Sequence, residues 1–268
     1  MLTIFGALLA ALAPFASADA DWDARIVGAT GTVSVLLASE GVSQPYPAQD
    51  GLPLSPGDSV TTGNDGRALL TLSGEHSITL LPDSSITIAS VSKSQTLFDL
   101  ARGRLLAFIS PLSSDQKLSV ETPQAVAAVR GTEFGVDAGA SQASVGVFDE
   151  GHVEVFSPSG RVLIGPNQET SVAPGKTPLP PRALTRRFLR YRPFLKALRR
   201  QWRQVRRSWP RMARLNRRVL RRRFMAMRQG RRPAPRWRRP LLHGRRPAFA
   251  PAREGRRSER GRRRRERP

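Results

Sequence analysis

Apolar and small polar residues alternate almost one for one in the runs IVGATGTVSVLLAS, RALLTLSGEHSITLLPDSSITIAS, LFDLARGRLLAFIS and KLSVET, all between Arg25 and Val172. A period of two puts every second side chain on one face, so these runs predict strands with one buried face. Turn formers separate them at close intervals: Pro56-Gly57-Asp58, Gly63-Asn64-Asp65-Gly66, Ser73-Gly74-Glu75, Pro82-Asp83-Ser84 and Ser157-Pro158-Ser159-Gly160. Asn-Asp-Gly and Ser-Gly tolerate the positive φ that tight reversals need. No part of this stretch sustains a helical period. The expected fold class is all-β, as a β-sandwich or a solenoid-like stack of short strands, and periodicity alone does not choose between them.

The pattern stops near Val172, and so does the charge balance. Through Pro181 the chain carries 9 Lys and Arg against 18 Asp and Glu; from Arg182 onward it carries 35 against 3, so a segment of −9 is joined to one of +32. The strand-built domain is assigned to residues 25–173 and a Pro-rich linker, extended and semi-rigid, to 174–184. Over 185–229, Tyr191, Leu195, Leu198, Trp202, Val205, Trp209 and Met212 recur at alternating steps of four and three. That spacing predicts an amphipathic helical stripe with arginine on most other positions. Pro193 suits the first turn of one helix, and Pro210, with Ser208 as a cap before it, should end that helix and begin a second. Residues 230–268 are Arg, Pro and Gly with few apolar side chains, a composition expected to be disordered.

The first 18 residues lie in MLTIFGALLAALAPFASADA, an apolar run short for a membrane span that closes on the A-x-A sites Ala16-Ser17-Ala18 or Ala18-Asp19-Ala20. This predicts an export signal peptide, the alternative being an uncleaved anchor or a misassigned start. Without cysteine, an exported domain must be held by burial rather than disulfides.

The segment TPQAVAAVRGTEFGVDAGASQASVGVFDEGHVEV carries the most specific pattern. Thr122-Pro123 is followed by an apolar run, by Val129-Arg130-Gly131-Thr132, by Phe134 and Val136, and then by Val145, Val147, Gly151, Val153 and Val155. With the upstream PGDSVTTGNDGRALLTL, this order resembles the periplasmic domain of the FecR family over roughly residues 25–175. The resemblance implies a sensing or scaffolding β domain. The family's best-known members also carry a cytoplasmic anti-sigma region and a transmembrane helix. Only a signal-like segment precedes the β domain here, so the resemblance extends to the outer domain and leaves direct sigma-factor control in doubt; the basic tail has no counterpart in that plan.

Gly131 within a strand run argues for a bulge or a close backbone approach. Arg130 could then tie carbonyls, or a carboxylate among Glu133, Asp137, Asp149 and Glu150, while Thr132 returns a hydroxyl to the same bulge. Val129, Arg130, Gly131, Thr132 and Phe134 thus form a structural or partner-contact motif, with the architectural role favoured.

Nothing in the sequence points to an enzyme, a metal or a cofactor. His76, His152 and His243 are widely separated, Ser59 in GDSVT lacks the second glycine of a nucleophile elbow, and no P-loop or G-x-G-x-x-G occurs. DADWD at 19–23 resembles the start of a calcium loop, but Ala24 and Thr30 stand where its glycine and glutamate belong. The expected function is that of an exported non-enzymatic protein in envelope sensing, signalling or scaffolding, located in the periplasm and membrane-associated through its tail. Its tail partners would be an anionic membrane surface, lipopolysaccharide or an acidic envelope protein, with Arg199, Arg200, Trp202, Arg203, Arg206, Arg207 and Trp209 as contact residues. Docking of the basic helices on the acidic β domain of the same chain is the competing arrangement. If the chain stays inside the cell, the alternative is a nucleic-acid-binding protein using the same arginines.

Overall fold

Two sheets share one long strand. The computed structural model describes residues 22–41 and 43–228, so the predicted signal segment (1–18) and the predicted disordered tail (230–268) lie outside the described residues. The strands are β1 (Ala24–Thr30), β2 (Val33–Leu36), β3 (Tyr46–Pro47), β4 (Ser59–Thr62), β5 (Arg67–Leu72), β6 (His76–Leu80), β7 (Ser85–Val91) and β8 (Gln95–Phe108). They continue as β9 (Lys117–Glu121), β10 (Val126–Val129), β11 (Glu133–Ala138), β12 (Ala143–Val147), β13 (Val153–Ser157), β14 (Gly160–Ile164), β15 (Gln168–Val172) and β16 (Arg182–Ala183). Three helices follow: α1 (Arg186–Leu189), α2 (Arg192–Ala213) and α3 (Arg217–Arg228).

The first sheet runs β1-β5-β6-β8-β11-β12-β15-β16 and the second β3-β2-β4-β7-β8-β9-β10-β13-β14. All these pairings are antiparallel except β8 with β9. β8 belongs to both sheets: Gln95 to Arg102 pairs within the second, Gly103 to Phe108 within the first. The switch falls at Gly103, at φ +89°, where an added Cβ would lie 2.4 Å from the Ser84 Cα. Only glycine fits such a crossing without strain. One core joins the two sheets, with Ile26, Leu70, Ile78, Leu105, Phe134 and Val145 from the first meeting Val35, Val60, Ile86, Phe98, Val120 and Val155 from the second. The arrangement is therefore a two-sheet sandwich rather than a stack of rungs.

Burial separates the sheets. In the second, β2, β4, β7 and β10 alternate buried and partly exposed residues, as a sheet with one wet face should. In the first, β6 and β12 are buried at every position and β5 at every position but one. The outer face of the first sheet is covered, and the helices cover it.

The helical segment begins as the spacing predicts, with Pro193 in the first turn of α2. The expectation that Pro210 ends this helix is corrected: α2 runs through Pro210 to Ala213, and the break comes at Leu215 and Asn216. Proline removes one helical hydrogen bond, but Trp209 and Met212 on either side of it still pack on the domain, which offsets that loss. Ser208 donates back to the Val205 carbonyl instead of capping, and Asn216 Oδ1 accepts the Val219 amide at the start of α3. The Pro-rich connector is pinned along β15: Leu179 N–H donates to Ser171 O, and Thr170 Oγ1 to Leu179 O.

His76 sits in the core of β6. Its ring meets Trp22 edge-on at 4.6 Å, and its Nδ1 accepts the Ser110 amide at 3.1 Å. Burial pushes its pKa from 6.5 down to about 4. The unfolded chain therefore takes up this proton first. The stability that neutral His76 supplies is complete above pH 6.5, falls as the pH drops, and levels off below about 4. Chemical denaturation across this range should show the wild type losing about 3 kcal/mol relative to His76→Gln, which keeps an acceptor but does not titrate. Parallel curves for the two proteins would contradict the assignment.

Candidate functional site: a sheet-crossing corner and an arginine clasp

Arg130-Gly131-Thr132 is the corner at which the chain leaves the second sheet and enters the first: β10 ends at Val129 between β9 and β13, and β11 begins at Glu133 between β8 and β12. Gly131 lies at φ +116°, and a Cβ there would come 2.6 Å from the Pro111 Cα. Thr132, buried, donates its hydroxyl to the Glu150 carbonyl and so ties the corner to the Asp149–Gly151 turn. Val129 and Phe134 point into the core on either side. The expectation that Arg130 ties a carboxylate is corrected. Its side chain is exposed and makes no hydrogen bond or ion pair among the described residues, because the carboxylates it might have met face the outer side of the first sheet or the turn beyond. Glu133 and Asp149 bind an arginine from the helical segment instead.

That segment lies across the outer face of the first sheet. Phe188 of α1 is buried over Gly135 and Gly146 and meets Phe148 edge-on at 6.3 Å. Along α2, Leu195, Leu198 and Val205 are buried, and Val205 packs with Val27 and Leu69. Trp202 stacks on Phe108 at 6.1 Å, and Trp209 lies against Gly74 with the Arg25 guanidinium 5.5 Å above its ring. Phe224 of α3 reaches Tyr46 at the edge of the second sheet, edge-on at 6.2 Å. The apolar stripe read from the sequence is thus occupied by the chain's own β domain. The competing arrangement, docking of the basic helices on the acidic β domain of the same chain, is the one found, and it turns Trp202 and Trp209 to the sandwich rather than outward as surface contacts.

Charge fastens the layer at four places among the described residues, one of them Arg187 of α1 on Asp137 at 3.9 Å. Arg199 bridges Glu133 and Asp149, and Arg192 adds a second contact to Asp149 at 3.6 Å. The hydrogen bond to Glu133, supported by Asp149, holds the Arg199 pKa above its ordinary value against the opposing effect of burial. Asp23 accepts from both Arg25 and Arg217, and Arg25, 1% exposed, also donates to the Met212 and Leu215 carbonyls at 2.8 and 2.9 Å. Both carbonyls lie at or just past the C-terminal end of α2, where a cation is favourable, and the Met212 carbonyl also accepts the Leu215 amide at 3.0 Å. Arg221, 7% exposed, reaches Asp58 (fully buried) at 2.6 Å, Glu40 at 2.8 Å, the Pro53 carbonyl at 3.0 Å and Ser39 Oγ at 2.6 Å. Burial works to lower its pKa, and the bonds to Asp58 and Glu40 outweigh it, leaving the pKa raised. Asp58 in turn accepts from the Ser55 amide and from Ser39, so one carboxylate joins the tail to two loops of the sandwich.

Of the seven residues predicted for an anionic surface, Arg199, Trp202 and Trp209 thus turn toward the domain, while Arg200, Arg203, Arg206 and Arg207 are exposed. Arg206 lies 5.9 Å over the Trp202 ring. Arg25, Arg217, Arg221 and Asp58 were missed as clasp residues. The opposite charges of the two segments announced such pairing without saying which arginines would turn inward. No group of three or more potential metal ligands, and no helix long and apolar enough to cross a membrane, occurs among the described residues.

The fold is an all-β sandwich closed on one side by a basic helical layer. Residues 58–154 match the model of the FecR protein family. The match runs from Asp58 to Glu154 and so includes the corner and the acidic partners Asp58, Glu133 and Asp149, but not the helices. No curated protein matches the chain. Two crystal structures of a candidate anti-sigma factor from Parabacteroides distasonis ATCC 8503, at 1.65 and 2.50 Å, are 18% identical to it. The similarity covers 49% of this chain with a TM-score of 0.43, and the chain spans 62% of the length of those proteins.

An architectural corner predicts that Gly131→Ala lowers stability by at least about 2 kcal/mol, whereas Arg130→Ala stays within about 0.5 kcal/mol, both read from urea unfolding midpoints. The reverse order would mean that the arginine holds the corner. Arg221→Ala leaves the Asp58 carboxylate buried without its cation and should cost about 3–5 kcal/mol in the same assay. A change under about 1 kcal/mol would show that α3 is not fastened there.

Proposed function

We propose that this chain is a non-enzymatic protein of bacterial envelope sensing, signalling or scaffolding, exported to the periplasm. In this reading its FecR-type sandwich carries its own helical layer, and its remaining arginines hold it to an anionic envelope surface or an acidic envelope partner. The observation that carries the reading is the family match over residues 58–154, which takes in a corner whose glycine and threonine have a defined architectural task. The apolar leader with its A-x-A sites supports export, and the cysteine-free sandwich is held by burial, as an exported domain without disulfides must be. The clasp bears on mechanism: its acidic anchors Glu133 and Asp149 lie at the same corner, so a partner binding there would act directly on α2.

A phosphatase reporter fused after Pro268 should be active, and mass spectrometry of the periplasmic fraction should recover a chain beginning near Asp19 or Asp21. An inactive reporter, with unprocessed chain recovered on nucleic acid in a salt-sensitive manner, would replace this reading with the intracellular one.

A further inference from the structure

The outer side of α2 carries a second stripe directly opposite the buried one. Lys196, Arg200, Arg203, Arg207, Arg211 and Arg214 recur at steps of three and four, and all six are exposed. They span about 27 Å of helix. From Arg186 to Arg228 the sequence holds no Asp or Glu. The ion pairs of this layer go to carboxylates of the sandwich, through Arg187, Arg192, Arg199, Arg217 and Arg221. The outward six form none of the ion pairs among the described residues.

We propose that this stripe is a docking surface for an anionic phospholipid bilayer, engaged through head-group phosphates without insertion of side chains into the acyl region. The proposal rests on the envelope reading above and specifies its surface partner. Two observations select this occupant. The apolar residues that would anchor an interfacial helix, Leu195, Leu198, Trp202, Val205 and Trp209, are committed to the sheet behind, so attraction is left to charge. The helix also lies along a sheet of eight strands, about 35 Å across, so its cations form a row on a broad body and meet a plane of negative charge together. Entering a duplex groove about 12 Å wide calls for a helix standing clear of its domain, with polar side chains directed at base edges. Gln204 is the one amide beside this stripe. An acidic protein would need its carboxylates matched to six separate positions, whereas a fluid head-group layer adjusts to them.

The test uses the full chain, so that the arginines beyond residue 228 are present in every sample. Wild type should sediment with vesicles of 30% phosphatidylglycerol in phosphatidylcholine and not with phosphatidylcholine alone. Arg200→Gln/Arg203→Gln/Arg207→Gln should weaken that binding by roughly 10- to 100-fold at low salt, with an unchanged melting midpoint. Bromine-labelled acyl chains should quench the wild type no more than a Trp202→Phe/Trp209→Phe variant. Equal vesicle binding by the triple variant would overturn the proposal, as would quenching assigned to these two tryptophans. Loss of duplex DNA binding in the triple variant with vesicle binding intact would overturn it in favour of nucleic acid. Each of these results is separate from the compartment reporter, which alone decides the envelope reading.

Discussion

The structure depends on one constraint: the outer face of the first sheet cannot face water. Val27, Leu69, Leu106 and Phe108 lie on that side and are all buried. Exposing them together would give up burial worth about 1.5–3 kcal/mol for each. The chain supplies its own cover in α1 and α2, whose apolar stripe has the period and length of that face. The strands of the first sheet can therefore carry leucine and valine on both sides, while those of the second keep the ordinary alternation. The helical layer is part of the fold, although the sequence that forms it resembles a detached cationic tail.

Charge then decides where the layer sits. The sandwich is acidic and the helices contain no acid, so each inward arginine had to find its carboxylate across the interface. Arg199 on Glu133 and Asp149 is partly wet and screened by salt, and contributes little at physiological ionic strength. Arg221 on Asp58 is dry, so its value lies in position: either charge alone would be strongly unfavourable there, which fixes where α3 lies. Arg25 links the two modes, since it donates to two carbonyls at the end of α2 and just past it, shares Asp23 with Arg217 and lies over Trp209.

The strands and their turns were legible because alternation and Gly-Asp-Asn punctuation are local properties. The amphipathic stripe of α2 was legible for the same reason, down to the start at Pro193. What the stripe faces was not, because a helix with tryptophan and leucine on one side suits a membrane interface as well as a protein surface. The end at Pro210 was misread for a related cause: local proline chemistry yielded to the burial of Trp209 and Met212, which depends on residues more than a hundred positions away. At the corner, Gly131 and Thr132 behave as a local argument demands, but Arg130 does not. Its expected partners Glu133 and Asp149, three and nineteen residues further along the chain, belong in space to Arg199.

A sandwich that folds with its own basic layer presents arginine outward in a fixed row, which a loose tail could not do. Whether the layer is integral is therefore the central question, and native-state hydrogen exchange answers it most directly. If the helices close the sheet, amides from Leu195 to Met212 will exchange as slowly as those of β5, β6 and β12, in one cooperative opening with them. Fast exchange along α2 while those strands stay protected would contradict the account.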